Sequence, residues 1–497
     1  MAKKNSRNAI IIMVDQMKAT ASHLYSRHGI RTPGLERLAK MGVRYENATT
    51  PHPLCVPARA AMWTAKTPHN TECRVNQTPI PKNVPHAARW WKQAGYQLAL
   101  LGKNHCFAES SDYELFDVWC EIEHYGFRDK LAHYGFKKDA PDAKSPKGMD
   151  WVESEEKVIA AHAVRRNMPP PKGGASTFAV TEFEDRHYST GLLSNQADAF
   201  LRGNREQPYT LWLSLPDPHV PYETPKHFFE EARAQNIEMP PPGPIPGDDL
   251  PVRNRILSQL MRCPDEYTEN LKDIVTAYHA NVLHIDKLVN RLLDTLEETN
   301  QLDNTILVFC SDHGDFAGEH QMVAKGGVLY DCLVRIPMIV AAPNLFPQNR
   351  IISSPVSLMD IVPTIFQLQG IALPDDLDGQ PMVPCPDATE QEFGFALYGA
   401  GGPAFTMEQL DSMDFSFGHT ALFETVKFRE PEGDRSMIRN ANWKLVHDPM
   451  GDLDELYDLQ ADPYEHQNLA NDPAHAVTRN KLMAELANWR HWDKVTN

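Results

Sequence analysis

The sequence carries little positive charge for its length. It has 49 lysine and arginine residues against 66 aspartate and glutamate residues, so the formal net charge is −17 over 497 residues. Proteins that bind the nucleic-acid backbone need a basic face. The acidic balance therefore excludes a general nucleic-acid role. An anionic ligand would have to meet positive charge that is concentrated inside a pocket.

Cysteine is scarce and dispersed. The eight cysteines form no Cys-x-x-Cys pair and no dense framework, which argues against a zinc site or a disulfide scaffold. Most of them are expected to be small, buried, reduced side chains. They are Cys55, Cys73, Cys106, Cys120, Cys263, Cys310, Cys332 and Cys385.

Long apolar runs are also missing. No segment is long and apolar enough to span a bilayer, so no membrane partner is expected. The short apolar stretch from Asn8 to Val14 ends at Asp15-Gln16 without a small-residue cleavage site. It therefore predicts a buried strand and not a signal peptide, and the expected location is cytoplasmic.

What the sequence does contain is an alternation of apolar runs with segments of helical periodicity, which predicts an α/β fold. We expect a large mixed, mostly parallel sheet sandwiched by helices, and a smaller C-terminal domain with a short antiparallel sheet and a helix. The composition shifts to proline, aspartate and glycine after about Gly370, so the predicted domains are 1–384 and 385–497. A surface insertion is predicted at Ala140–Gly174 and a loop at Met239–Pro251.

The predicted elements are as follows. The strands are Ala9–Val14, Gln97–Leu101, Tyr209–Leu215, Thr305–Cys310, Met338–Ala342, Trp443–Val446 and Leu456–Asp458. The helices are Pro33–Met41, Ala87–Ala94, Leu192–Leu201, Glu266–Thr299, Ser357–Leu368 and Ala476–Trp492.

Polar residues follow four of these strands at the point where each strand ends. They are Asp15-Gln16, Lys103-Asn104-His105, Asp217-Pro218-His219 and Ser311-Asp312-His313-Gly314-Asp315. Ligands of open α/β sheets bind at the carboxyl ends of strands. A single such residue is more often a cap or a loop residue, but four ends together predict one shared site.

A divalent cation is the first ligand that these residues suggest. Asp15, Gln16 and Asp312 offer oxygen donors, and His313 adds an imidazole. Oxygen-rich sites suit calcium, magnesium or manganese, and a histidine shifts the preference toward manganese or another transition metal. For the Asp312-His313-Gly314 segment alone, a simple turn after a strand is the competing interpretation.

Cys55 precedes a predicted helix in the segment Cys55-Val56-Pro57-Ala58-Arg59. Proline suits the first helical turn, so Pro57 is well placed to begin the helix. The N–H groups and the dipole at a helix N-terminus favour an anion, and Arg59 lies one turn further on. The segment predicts a cradle for a tetrahedral oxyanion, with an ordinary buried cysteine as the alternative.

Taken together and in chain order, these segments resemble the type I sulfatases of the alkaline phosphatase superfamily. The Cys-x-Pro-x-Arg motif at Cys55 carries the resemblance, with four further matching segments in register. These are Ile11–Gln16, Thr32–Ala39, Gly102–His105, and Ser311–Gly314 with Gly318-Glu319-His320 and Lys325. Glu455–Leu459 with Asp462-Pro463, Glu465 and Asn468-Leu469 is similar to the C-terminal signature of that family.

The sequence departs from the common pattern at several positions. Many family members have Asp where this chain has Gln16 and Asn where it has His313, while Ala58 replaces the usual Ser and Thr64-Ala65 replaces Thr-Gly. The pairing of Gln with His resembles a subgroup that includes phosphonate monoester hydrolases and choline sulfatases. Lys103 and His105 keep the sulfatase pattern.

The resemblance implies hydrolysis of sulfate esters and a set of roles. Cys55 would be oxidised to formylglycine by a formylglycine-generating enzyme and hydrated to a nucleophile that forms a covalent sulfo-enzyme intermediate. One divalent metal, calcium first and manganese as the alternative, would be bound by Asp15, Gln16, Asp312, His313 and the modified residue 55. Lys103 and Lys325 would bind the sulfuryl oxygens, and Asn76 is a further candidate substrate contact. His105 would act as base, His219 as general acid and substrate contact, and Arg59 would hold residue 55.

Three interpretations stay open at this level. The first is a sulfatase that acts on a sulfated small molecule or oligosaccharide. The second is a phosphonate monoester or phosphodiester hydrolase that uses the same site. The third is a non-catalytic binding protein with an unmodified Cys55. The alcohol part of the substrate and the formation of a homo-oligomer are not specified by the sequence.

Overall fold

The structure is a computed structural model that describes residues 6–123, 126–127, 178–263, 268–404, 406, 408 and 430–492. The strands are β1 (Asn8–Asp15), β2 (Val43–Tyr45), β3 (Ala48–Thr49), β4 (Gln97–Gly102), β5 (Val118–Glu123), β6 (Gly126–Phe127), β7 (Phe178–Thr181), β8 (Tyr209–Pro218), β9 (Tyr222–Pro225), β10 (Thr305–Ser311), β11 (Met338–Ala341), β12 (Arg350–Ile352), β13 (Val356–Ser357), β14 (Gly394–Gly402), β15 (Gly433–Arg439), β16 (Trp443–His447) and β17 (Glu455–Asp458).

The helices are α1 (Pro33–Lys40), α2 (Cys55–Thr64), α3 (Pro68–Thr71), α4 (Ala87–Gln93), α5 (Ser110–Leu115), α6 (Ser189–Arg202), α7 (Lys226–Ala234), α8 (Val252–Met261), α9 (Thr268–Glu298), α10 (Asp331–Val334), α11 (Ile361–Gln369) and α12 (Ala476–Trp492). Short 3-10 turns occur at Ala19–Ala21, Asp185–His187, Leu302–Asn304, Glu319–Gln321, Leu358–Asp360 and Pro473–His475.

A nine-stranded sheet in the order β12-β2-β11-β10-β1-β8-β4-β5-β6 forms the centre of the molecule. Strands β10, β1, β8, β4 and β5 run parallel, whereas β11 pairs antiparallel with both β10 and β2. This confirms the predicted large mixed, mostly parallel sheet. The predicted strands at 9–14, 97–101, 209–215, 305–310 and 338–342 all belong to it.

The two faces of the sheet are covered by different helices. Ile10, Ile12 and Val14 of β1 pack into one core with α1, α6 and α9, while Ile11 and Met13 face a second core with α2, α4 and α11. Side chains of a strand alternate between faces, and a parallel sheet has both faces buried. This is why β1 is an almost unbroken apolar run and not an alternating one.

The C-terminal part contains a separate antiparallel sheet in the order β14-β15-β16-β17. Helix α12 packs on it through Leu482 and Leu486, which contact the same apolar cluster as Ile438 and Leu445. The predicted small sheet and final helix are thus confirmed. The domain boundary at residue 384 stays a prediction.

Some predicted elements differ in detail. The predicted helix from Ser357 begins as the 3-10 turn Leu358–Asp360, because Ser357 accepts a hydrogen bond from Met359 N and donates its own N–H to Asp360. Met239–Pro251 contains no helix or strand, as predicted. The predicted insertion Ala140–Gly174 and the first two residues of the predicted helix from Glu266 lie outside the described residues. No helix within the described ranges is long and apolar enough to cross a membrane.

Candidate active site

Four neighbouring parallel strands bring the predicted site residues to one edge of the sheet. Strands β10, β1, β8 and β4 are adjacent in that order and point the same way. Asp15 is the last residue of β1, Lys103 directly follows β4, and Asp312 directly follows β10. His219 comes next after β8. The parallel topology therefore places these four side chains at the same end of the sheet.

Cys55 lies at the first turn of α2 and faces this end of the sheet. The helix begins at Cys55, two residues before Pro57, because Leu54 is extended and its carbonyl accepts a hydrogen bond from Ala58 N. The Cys55 Sγ atom lies 3.2 Å from His313 Nε2 and 3.1 Å from Lys325 Nζ. Burial raises the pKa of the Cys55 thiol to about 11. At neutral pH the unmodified side chain is therefore a protonated thiol and a weak nucleophile.

Arg59 forms hydrogen bonds with both Asp15 and Asp312. It is fully buried, and it donates from Nε to Asp312 at 2.9 Å and from Nη2 to Asp15 at 3.3 Å. Its Nη1 donates to Ser214 Oγ at 2.6 Å and to the Lys103 carbonyl at 3.0 Å. A planar guanidinium with five donors suits such a multiply bonded position. In this structure Arg59 holds the carboxylates and the end of β4 in place.

The site carboxylate Asp15 is stabilised in its ionised form. Burial alone would raise its pKa, but the positive charges of Lys103, His219 and Arg59 outweigh burial and hold the pKa of Asp15 well below its usual value. Lys103 Nζ donates to Asp15 Oδ2 at 2.5 Å. Asp15 is thus an anionic oxygen donor throughout the neutral range.

The donor set fits a divalent cation. Asp15, Cys55, Asp312 and His313 are all buried, and one ligand atom from each lies within 4.8 Å of the others. Burial lowers the pKa of His313 to about 4, so its ring is neutral at pH 7. Its Nδ1 lies 2.9 Å from the Gly314 carbonyl, which can only accept a hydrogen bond. The proton is therefore on Nδ1, and the Nε2 lone pair faces the cluster, as a metal-binding histidine requires.

Lys325 and His219 add two basic side chains next to Cys55 and His313. Lys325 Nζ donates to Gln16 Oε1 at 3.0 Å and lies 3.0 Å from His219 Nε2. His219 Nδ1 lies 2.6 Å from the carbonyl of Val220, so this nitrogen carries a proton and Nε2 faces the site. Lys325 thus contacts Gln16, Cys55 and His313 as well as His219.

The two remaining predicted residues are attached to segments that carry the cluster. His105 follows Lys103 at the end of β4 with a left-handed φ of 62° and is half-buried. Asn76 reaches the site through α2, because its Oδ1 accepts a hydrogen bond from Val56 N at 3.1 Å. Its own N–H and its Nδ2 both donate to Glu430. Their catalytic or substrate-binding roles stay predictions.

This cap on α2 leads to a stability prediction. Replacing Asn76 with alanine is expected to lower the free energy of unfolding by about 0.5–2 kcal/mol, because the Val56 N–H loses its acceptor and buried Glu430 loses a donor. The change is measured by urea unfolding. Thr67→Ala, which removes a cap from α3, is the matched control. An unchanged urea midpoint for Asn76→Ala would contradict this role.

Several residues of the site were not predicted from the sequence. Ser214 on β8 accepts from Arg59, Tyr278 OH donates to the carbonyl of Gln16, and Tyr222 OH donates to Asp315. Asp315 belongs to the segment after β10, but no role was predicted for it. Burial raises its pKa to about 6. For Ser214, Tyr222 and Tyr278 no local sequence signal exists, since their partners are distant in the chain.

Several known proteins are similar to this chain in sequence or in fold. A family model described as Sulfatase matches residues 7–371. The chain is 28% identical to the choline-sulfatase of Rhizobium meliloti (strain 1021), over 98% of this chain and 87% of that protein. It is 26% identical to the arylsulfatase of Clostridium perfringens (strain 13 / Type A), over 75% of this chain and 76% of that protein.

A solved structure with the same fold is the phosphonate monoester hydrolase SpPMH from Silicibacter pomeroyi. It superimposes with a TM-score of 0.71 at 19% identity and covers 98% of this chain and 96% of that one. At this level of identity the similarity establishes the fold alone.

Proposed function

The chain belongs to the sulfatase family and is a sulfuric ester hydrolase, and from this premise we propose that Cys55, after oxidation to formylglycine, is its nucleophile. The main support for this proposal is the position of the Cys55 Sγ atom, which lies within 3.2 Å of both Lys325 Nζ and His313 Nε2. Burial raises the pKa of the unmodified Cys55 thiol, and a protonated thiol is a weak nucleophile, so the attacking group would come from the oxidised side chain. A formylglycine-generating enzyme would carry out this maturation.

The hydrated aldehyde would complete the reaction in two steps. One hydroxyl would give up its proton and form a bond to sulfur while the bond between sulfur and the ester oxygen breaks, and the ester oxygen would take up a proton and leave as the alcohol. The second hydroxyl would then lose its proton, the carbon–oxygen bond to the sulfate would break, and the aldehyde would be regenerated and hydrated again by water. This is covalent catalysis in which no water has to attack the sulfo-enzyme.

The side chains around residue 55 provide the electrostatic part of the proposal. Lys103 and Lys325 would donate hydrogen bonds to the sulfuryl oxygens. Preorganised donors of this kind are commonly worth about 3–4 kcal/mol each at the transition state. Lys103 is held by Asp15 at 2.5 Å, so its direction is set before the substrate binds.

Two histidines would move the protons. His219, whose Nδ1 is bonded to a carbonyl, presents Nε2 to the site and would protonate the leaving oxygen. His105 would take the proton from the second hydroxyl. A positioned acid or base contributes about 10²- to 10⁴-fold. Asn76 would keep the first turn of α2 fixed under residue 55 and contact the substrate.

Asp15, Gln16, Asp312 and His313, with residue 55, would hold one divalent metal, which when bound stabilises negative charge as a Lewis acid. Three oxygen donors favour calcium, and the imidazole keeps manganese as the alternative. Arg59 would keep the two aspartates apart and aligned. The proposed substrate is a sulfated small molecule or an oligosaccharide.

Hydrolysis of phosphonate monoesters or phosphodiesters is the second candidate function. It is supported by the Gln16 and His313 pair at the site and by the shared fold with the phosphonate monoester hydrolase. The two substrate classes differ in the charge that the same site must neutralise. One scaffold can therefore discriminate between them through its basic residues.

The test combines mass spectrometry with matched substrates. The protein is produced together with a formylglycine-generating enzyme, and the mass of the peptide that contains residue 55 is measured. We expect an aldehyde there, and a higher kcat/KM for 4-nitrophenyl sulfate than for 4-nitrophenyl phenylphosphonate. An intact thiol in fully active enzyme would falsify the nucleophile. A dominant phosphonate rate would favour the second function.

A further inference from the structure

The side-chain amide of Gln16 has two different ends, whereas a carboxylate has two equivalent oxygens. The amide has an accepting end and a donating end, so a metal-facing glutamine works in only one of its two orientations. Gln16 is fully buried, and its φ of 74° lies in the left-handed region. Its backbone N–H donates to Asp312 Oδ1 at 3.0 Å. The backbone is thereby held, but these contacts do not select the direction of the amide.

Asp315 selects that direction. Its Oδ2 accepts a hydrogen bond from Gln16 Nε2 at 2.5 Å, and its Oδ1 accepts one from Ala317 N at 2.7 Å. Since Oδ1 accepts from a backbone N–H and Oδ2 also accepts from the Tyr222 hydroxyl, the Asp315 carboxyl group acts as an acceptor here and attracts the nitrogen end of the amide. The oxygen end is left to face Lys325 Nζ, at 3.0 Å. The opposite orientation would place the amide oxygen against a carboxylate oxygen in a buried site.

Tyr222 connects Asp315 to the backbone next to Lys325. Its hydroxyl donates to Asp315 Oδ2 at 2.7 Å and accepts from Ala324 N at 2.9 Å. Ala324 directly precedes Lys325, and Tyr222 begins β9 shortly after His219. A buried hydrogen-bonded chain therefore runs from Gln16 through Asp315 and Tyr222 to the backbone beside Lys325.

We propose that Asp315 is a positioning residue that fixes the Gln16 amide with its oxygen toward the cation site. Tyr222, which is bonded to Asp315 and to the backbone N–H of Ala324, holds the neighbouring Lys325 in position. The inference rests on the proposed function, since it takes Gln16 as a metal ligand. Partners behind a ligand commonly change metal affinity or activity by about 10- to 100-fold when they are removed.

A charge exchange between the two positions tests the proposal. Gln16→Glu alone places two carboxylates against each other, and Asp315→Asn alone removes the charge that orients the amide. In the double variant, the amide introduced at position 315 can donate to one oxygen of the carboxylate introduced at position 16, while the other oxygen faces the site. Each single variant is therefore expected to lose calcium affinity and activity, and the double variant is expected to regain both.

The measurement is calcium affinity by isothermal titration, together with kcat/KM for an aryl sulfate. We expect each single variant to bind calcium about 10- to 100-fold more weakly and the double variant to return to within a few-fold of the unmodified chain. Effects that simply add in the double variant would overturn the proposal.

The same four proteins are then unfolded by heat in EDTA. Repulsion between Asp315 and the carboxylate that Gln16→Glu introduces needs neither metal nor substrate, so the two substitutions should also be coupled here. Coupling in EDTA, when the parent chain binds neither calcium nor manganese, would support the Asp315 contact and contradict the proposed metal site. Absence of coupling in EDTA would contradict the positioning role itself, whatever the activity.

Tyr222→Phe tests the second half of the chain. We expect it to raise KM for the aryl sulfate several-fold, because the backbone beside Lys325 loses its acceptor. The matched control is Tyr45→Phe, which removes a buried hydroxyl that donates to the Val383 carbonyl at 2.6 Å, away from the site. Equal kinetic effects of the two substitutions would overturn the link to Lys325.

Discussion

Replacing Cys55 with alanine is expected to reduce kcat for sulfate ester hydrolysis by on the order of 10⁴- to 10⁶-fold. Alanine cannot become an aldehyde, so the hydroxyl that attacks sulfur and the second hydroxyl that releases sulfate are both lost. The charged residues around it are kept, so substrate binding should persist. The measurement is kcat by a stopped assay and substrate affinity by titration.

The matched control for this prediction is Cys73→Ala. Cys73 is also buried, and burial raises the pKa of its thiol to about 11, as for Cys55. Its Sγ lies against the carbonyls of Thr71 and Pro79 and not in the site. It should keep nearly the full kcat. A Cys55→Ala enzyme that kept a tenth of the parent kcat would eliminate residue 55 as the nucleophile.

Replacing Arg59 with methionine is expected to lower the free energy of unfolding, measured without metal, by about 3–5 kcal/mol. This is a larger loss than we expect for Asn76→Ala. The substitution keeps most of the apolar volume but removes the cation that pairs with Asp15 and Asp312 at the fully buried site. Two buried carboxylates are then left with much less compensation. Removal of one partner from a buried ion pair costs more than the pair itself contributes.

The loss of stability caused by Arg59→Met is expected to depend on calcium. A divalent cation bound between the same carboxylates would replace part of the lost positive charge, so saturating calcium should recover part of the lost stability. Urea unfolding is measured with and without calcium or manganese. A loss that neither calcium nor manganese reduces would contradict the proposed position of the metal.

Arg37→Met is the control for the Arg59 substitution. Arg37 pairs with Asp294 and Glu297 on the surface, where its side chain is 28% exposed and theirs are 50% and 53% exposed. Exposed ion pairs contribute about 0–1 kcal/mol. A similar loss for both substitutions would show that charge burial is not the cause of the Arg59 effect.

Much of the fold could be predicted from local patterns. The apolar runs that became β1, β4, β8, β10 and β11 are continuous because both faces of a parallel sheet are buried. The long helix α9 followed from its apolar periodicity. Short elements such as β2 and β12, with three residues each, have too little sequence for any periodicity to be visible.

The site was predictable in its residue types but not in its contacts. The polar ends of four strands indicated a common site, since parallel strands end at one edge of the sheet. Arg59 was expected to hold residue 55, whereas the structure shows its side chain bonded to Asp15, Asp312 and Ser214. Asn76 was expected to contact the substrate, which stays a prediction, and the structure shows that its oxygen caps α2.

The sequence by itself determined the class of fold, the family and the residues that could carry sulfate ester chemistry, because strand periodicity and motif order are local properties of the chain. Only the tertiary structure decided how the polar side chains are paired. Gln16 and Asp315 are separated by 299 positions. The direction of an amide or a guanidinium depends on which acceptors the fold brings within about 3 Å of it, and no local pattern encodes that choice.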